Sequence, residues 1–143
     1  AIRSTASGFI FTTSLPPLIA ESARASIEYL KSNSKLRIKQ QENVKFLKDE
    51  LSKHNIEILK NTTHIIPVMI REAELCNEIS KHLLDNYGHY IQPINYPTVK
   101  KGEERLRVTP GPFHNKKMML DLVISLKKTF KKFNFIKTSI NAA

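Results

Sequence analysis

Apolar positions along the chain recur at helical spacing in long stretches, separated by short stretches where they alternate or run together. After Ser14-Leu15-Pro16-Pro17, residues Ile19, Ala23, Ile27 and Leu30 fall on one helical face. Proline suits that first turn because its missing N–H would have no partner there. Ser32-Asn33-Ser34 marks a break, and the helical pattern resumes through Leu36, Gln40, Val44, Leu47 and Leu51 to stop near His54-Asn55. Residues 55–60, with Ile56 and Ile58 alternating, and the β-branched run at residues 64–70 predict strands. Pro67 donates no hydrogen bond, so its strand is expected at an edge or interrupted. From about Ala73 to Tyr87, Leu75, Ile79, Leu83 and Tyr87 share a helical face, and Gly88 supplies a left-handed stop. Residues 90–94 and 105–109 predict further strands. Met119, Leu122, Leu126, Phe130 and Phe133 predict a last helix over about residues 115–133.

This αββαββα order predicts an α/β (α+β) fold in which helices cover a small sheet. Short strands in that order favour an antiparallel or mixed sheet over a purely parallel one.

Composition narrows the picture without redirecting it. A chain of 143 residues, 41% hydrophobic and 25% charged, is one domain's worth of an ordinary folded protein. No apolar run approaches the roughly 20 residues of a membrane helix. The opening residues lack the charged-then-apolar order of a signal peptide and an initiator Met, so the sequence reads as a segment of something longer. The single cysteine, Cys76, excludes an internal disulfide and a Cys-rich zinc site. The histidines His54, His64, His82, His89 and His114 show no paired-ligand spacing, so no metal site is expected. The net charge of +10 comes from scattered lysines with no interleaved aromatic platform. That pattern reads as solvated helix faces, with no nucleic-acid or membrane partner; a non-catalytic basic binding module for RNA or acidic partners is the rival reading.

Two segments hold candidate chemistry. Thr12, Thr13 and Ser14 directly precede a helix start, where unpaired N–H groups and a positive dipole end favour an anion. Simple capping of that helix by Thr13 or Ser14 explains the same residues. In the second segment, Arg105, Arg107 and Thr109 point to one side of a strand and Leu106 and Val108 to the other. Two guanidinium groups beside Pro110-Gly111-Pro112 suit bidentate capture of a carboxylate. A solvated strand face, with Glu103 or Glu104 pairing an arginine, is equally consistent.

Taken together, the two segments resemble the α-oxoamine synthases, fold-type I pyridoxal-phosphate enzymes that condense an amino acid with an acyl-CoA. Gly8-Phe9-Ile10-Phe11-Thr12-Thr13-Ser14-Leu15-Pro16-Pro17 resembles the stretch after that family's catalytic lysine. His64-Ile65-Ile66-Pro67-Val68 is similar to its small-domain strand, and residues 91–112 to its substrate-binding end. Ile94-Asn95-Tyr96-Pro97-Thr98-Val99 points to the branch that joins glycine to succinyl-CoA; relatives using other acyl groups differ most there. Two departures are Lys100-Lys101-Gly102, where the family commonly has Pro-Arg-Gly, and Thr5, where an aromatic residue is usual.

The resemblance implies a lead-in segment over residues 1–17 from a large domain and a C-terminal small domain over residues 18–143. It implies pyridoxal phosphate as cofactor, glycine and succinyl-CoA as substrates, and a homodimer. The implied location is the mitochondrial matrix in a eukaryote and the cytoplasm otherwise. Thr12 and Thr13 match residues that reach the cofactor phosphate of the partner subunit. Thr98 matches a residue beside the acyl-CoA, and Arg107 the arginine that holds the glycine carboxylate. Arg105 has a less fixed counterpart and is given no role. The Schiff-base lysine lies upstream in the family, so this segment alone is expected to be inactive. Another acyl donor is the nearest alternative.

Overall fold

The computed structural model describes residues 1–5, 7–10 and 15–135. Its contacts divide the chain into two compact units, Ala1–Leu36 and Arg37–Ala143. The first unit holds two short helices, α1 (Ile2–Thr5) and α2 (Ser7–Ile10), followed by α3 (Pro17–Ser32). The two short helices lie where no helical pattern was predicted. α3 begins at the expected prolines and ends at the expected break, with Pro17 at its first position. Arg24 bridges Glu21 and Glu28 along its length. None of its residues is buried, and Ile19 and Ile27 on the predicted apolar face are exposed.

α4 (Ser34–Lys53) spans the junction and leads into the second unit. It stops at Asn55, which takes a left-handed φ of 55° while the N–H of Ile56 returns to the Leu51 carbonyl at 2.9 Å. After it come β1 (Ile66–Met69), α5 (Ala73–Tyr87), β2 (Gln92–Ile94), β3 (Arg105–Val108) and α6 (Lys116–Lys132). Gly88 ends α5 at φ 70°, as its position predicts. The side chain of Asn115 accepts the N–H of Met118 and starts α6.

The sheet is antiparallel throughout, in the order β1-β3-β2. β1 and β2 therefore run parallel on either side of β3, a split βαβ arrangement with α5 as the crossover. The strand predicted at residues 55–60 contributes only a bridge between Ile58 and Val68, so the order has one strand fewer than predicted. That bridge explains Pro67. Its carbonyl accepts from Leu59 on the outer side of β1. In an antiparallel ladder the N and O of one residue face the same side, so the missing N–H subtracts nothing from the β3 pairing.

The core of the second unit joins α4, α5, α6 and the sheet through Leu47, Leu51, Ile66, Val68, Ile79, Leu83, Leu106, Val123 and Leu126. Each such side chain fully removed from water contributes about 1.5–3 kcal/mol. This packing makes β3 a rigid central strand, and the outward residues of β3 are the ones with chemistry to offer.

Candidate functional site

Alternation along β3 sets the site. Leu106 and Val108 turn into the core, so Arg107 must turn out, between Pro67 of β1 and Gln92 of β2. Its exposed guanidinium lines a cleft of about 440 Å³ with His89, Thr109, Pro110, His114 and Met118. Among the described residues Arg107 has no side-chain hydrogen bond and no ion pair. An unpaired guanidinium in a partly apolar cleft is suited to a two-point grip on a carboxylate.

The far wall of the cleft is the loop after β3. Asn43 of α4 donates to the carbonyls of Gly111 at 2.9 Å and His114 at 2.8 Å. Gln40 reaches the Pro110 carbonyl at 3.4 Å. The N–H of Gly111 donates to His114 Nδ1 at 2.8 Å, which in the neutral ring leaves the proton on Nε2.

Arg105 has a different situation. Its Nε donates to the Glu103 carbonyl at 2.7 Å, and its guanidinium pairs with the Glu103 carboxylate at 3.1 Å. It lines a separate cleft with Glu57 and Arg71, which are themselves paired. The two readings left open for the arginine pair thus divide between its members. Arg105 satisfies the ion-pair reading, and Arg107 remains available.

Thr98 lies in the turn after β2, its N–H donating to the Asn95 carbonyl at 2.9 Å. Its side chain is exposed and does not line the Arg107 cleft. The turn is held at both ends. Asn95 donates to Asn77 at 2.9 Å and to the Ala73 carbonyl at 3.4 Å, on the first turns of α5. At the other end Gly102, at φ 85°, gives its N–H to the carboxylate of Glu104 at 2.8 Å. Glu104 is only 3% exposed, and its carbonyl accepts the N–H groups of both Ile70 and Arg71.

Thr12 and Thr13, and the choice between anion cradle and cap, lie outside the described residues. Cys76 is buried, and burial pushes its thiol up to about 11 despite a backbone hydrogen bond from Ile94. A thiol so placed stays protonated near neutral pH and has no nucleophilic part. His82 packs at the core edge against Tyr87 and Phe133, with ring centroids 5.8 and 5.6 Å away. Among the described residues no group of His, Cys, Asp and Glu is arranged to hold a metal, and no helix is long and apolar enough to cross a membrane.

Sequence reasoning missed Asn43, Asn77 and Glu104. The first had a visible signal: a carboxamide in the stripe of Gln40, Val44 and Leu47, where burial favours apolar side chains. Glu104 carried none, since a carboxylate beside Glu103 and Arg105 reads as a solvated partner.

Known proteins agree with this architecture. The family described as Aminotransferase class I and II matches residues 1–126. The chain is 49% identical to a 5-aminolevulinate synthase of Rickettsia conorii over 91% of its length, and 53% identical to one of Rhizobium meliloti over 80%. It is 44% identical to a mitochondrial 5-aminolevulinate synthase of Neurospora crassa over 99%. The chain spans only 31%, 28% and 23% of those relatives' own lengths. In fold it is similar to a serine palmitoyltransferase from S. paucimobilis solved with PLP and myriocin bound, at a TM-score of 0.85 and 24% identity, covering 95% of this chain and 34% of that one. An 8-amino-7-oxononanoate synthase from Francisella tularensis gives a TM-score of 0.75 at 20% identity, with 94% and 39% covered. The helix-covered antiparallel sheet is therefore that of a fold-type I pyridoxal-phosphate enzyme, and the chain belongs to the aminotransferase class I and II family.

Proposed function

We propose that the intact protein of which this chain forms part joins glycine to succinyl-CoA, releasing CoA and carbon dioxide to give 5-aminolevulinate. The observation that carries this reading is the name shared by relatives about half identical to the chain over most of its length. The unpaired Arg107 in its cleft supports it. In this reading residues 1–17 lead in from the remainder of the protein, and residues 18–143 form its C-terminal domain, with the compact unit Arg37–Ala143 as its body.

Pyridoxal phosphate, when bound, supplies an electron sink for the α-carbon of glycine. The described residues do not themselves fit that cofactor: the Arg107 cleft offers one guanidinium beside the carboxylate of Asp121, with no lysine among its lining residues. The cofactor is assigned to the remainder of the protein and, across a homodimer, to Thr12 and Thr13. Replacing both with Ala should then release cofactor on dialysis.

The share left to this chain is positioning. Arg107 grips the glycine carboxylate and so sets the direction of the α C–H bond. Thr98 acts on the choice of acyl group. The protein works in the mitochondrial matrix if its source is a eukaryote, in keeping with the fungal relative, and in the cytoplasm if it is bacterial.

The test is product formation by the full-length protein, given glycine and a panel of succinyl-, acetyl- and longer acyl-CoAs. Product with succinyl-CoA alone supports the reading. Turnover of another acyl-CoA keeps the family and changes the donor. No turnover with any of them overturns the reading.

A further inference from the structure

We propose that Asn43 is a positioning residue for the carboxylate site at Arg107, acting through the loop that walls its cleft. The inference rests on the carboxylate reading of that cleft. Asn43 lies on α4 among Val44 and Leu47, only 3% exposed. A carboxamide buried there is unfavourable unless its hydrogen bonds are made. Both N–H bonds of its amide nitrogen go to one place, the carbonyls of Gly111 and His114. Because those carbonyls are three residues apart, the two bonds fix the curvature of the loop as well as its distance from α4.

Apart from the burial of Pro110, the loop has few other hydrogen bonds to hold it. Pro110 and Pro112 have no N–H to give. The Gly111 N–H and the His114 N–H are exchanged within the loop, to His114 Nδ1 at 2.8 Å and to the Gly111 carbonyl at 3.3 Å. Gln40 adds only a long contact at 3.4 Å. The same loop gives Pro110 and His114 to the wall of the Arg107 cleft. A loop released from Asn43 would carry Pro110 and His114 away from that wall and change the shape of the cleft in which a carboxylate meets the guanidinium. Asn43 touches no substrate in this account. It acts at one remove, on the glycine side and not on the Thr98 turn, which is held by Asn77 and Glu104 instead.

The experiment compares the full-length protein with Asn43→Leu, Asn43→Ser and Arg107→Leu, reading three quantities. These are the KM for glycine, the KM for succinyl-CoA, and amide exchange in the peptide covering residues 109–115. Losing two hydrogen bonds should speed exchange in that peptide and raise the glycine KM, each by about tenfold. The succinyl-CoA KM should stay within about twofold, a split that general loosening of the fold would not produce. Asn43→Ser supplies the same readings if Asn43→Leu does not fold. Unchanged exchange, or faster exchange with an unmoved glycine KM while Arg107→Leu raises it, overturns the role of Asn43. If Arg107→Leu also leaves the glycine KM unmoved, the carboxylate reading of the cleft has failed and this inference falls with it.

Discussion

Arg105 and Arg107 rise from the same side of β3, yet one is spoken for and the other is not. Arg105 is tied to its own neighbour Glu103 through a carbonyl and a carboxylate. Arg107, one strand repeat further on, faces the cleft with no partner among the described residues. A strand face that looks uniform in sequence therefore carries one structural cation and one available one.

The pair can be separated by mutation. Arg107→Leu should raise the glycine KM of the full-length protein by about a hundredfold, since losing the partner of a bound carboxylate costs about 2–5 kcal/mol. Stability should hardly change, because Arg107 supports nothing else in the fold. Arg105→Leu should do the reverse: an unmoved glycine KM and a loss of at most about 1 kcal/mol for a partly exposed ion pair. Steady-state kinetics beside thermal melts of both variants check this. Equal effects on the glycine KM would remove the distinction.

The Thr98 turn should govern the acyl group. Thr98→Val keeps the shape of the side chain and deletes its hydroxyl. The expected outcome is weaker discrimination for succinyl-CoA over uncharged or longer acyl-CoAs, by about tenfold in kcat/KM for one lost hydrogen bond. The glycine KM should not move, as Thr98 does not line the Arg107 cleft. A flat selectivity profile across the panel would remove Thr98 from the acyl site.

Gly102 tests how the turn is held. A methyl group added there would meet nothing within 4 Å, so any effect of Gly102→Ala comes from its φ of 85° alone. An L-residue in that region costs roughly 1–2 kcal/mol. The chain should melt a few degrees lower, and acyl-CoA selectivity should change with it. Glu104→Gln keeps an oxygen able to accept the Gly102 N–H and should preserve selectivity. If Gly102→Ala lowers the melting point and leaves selectivity intact, the turn does not set the acyl site.

Much of this was legible in the sequence because its causes are local. The prolines at 16 and 17, the break at Asn33 and the glycine at 88 each fix a helix end by backbone chemistry within a few residues. Period-two alternation placed Arg107 opposite Leu106 and Val108. The rest depends on residues far apart in the chain. Ile58 becomes a bridge and not a strand because only Val68 pairs with it. Asn43 has its role only once the loop near Gly111 folds against α4, some seventy residues away. The apolar face predicted for α3 describes the helix correctly, but no burial follows from periodicity alone.

Cys76 gives a prediction in which the sign matters. Burial is the main cause that raises its thiol from an ordinary value near 9 to about 11, with the charge of Glu104 adding and the Ile94 N–H opposing. Below pH 9 the thiol is protonated whether the chain is folded or not, and stability does not depend on it. Between pH 9 and 11 the unfolded chain loses this proton while the folded chain keeps it, so the unfolded state gains and stability falls as pH rises. A thiol raised to about 11 sets the loss at no more than about 3 kcal/mol. The comparison must be with Cys76→Ala, which shares every other group. That variant starts lower because of the cavity it leaves. Urea midpoints taken at pH 8 and pH 10.5 should nevertheless converge, the wild-type chain losing more stability than the variant. Parallel curves would mean that the thiol meets water in the folded chain, against its place between α5 and the sheet.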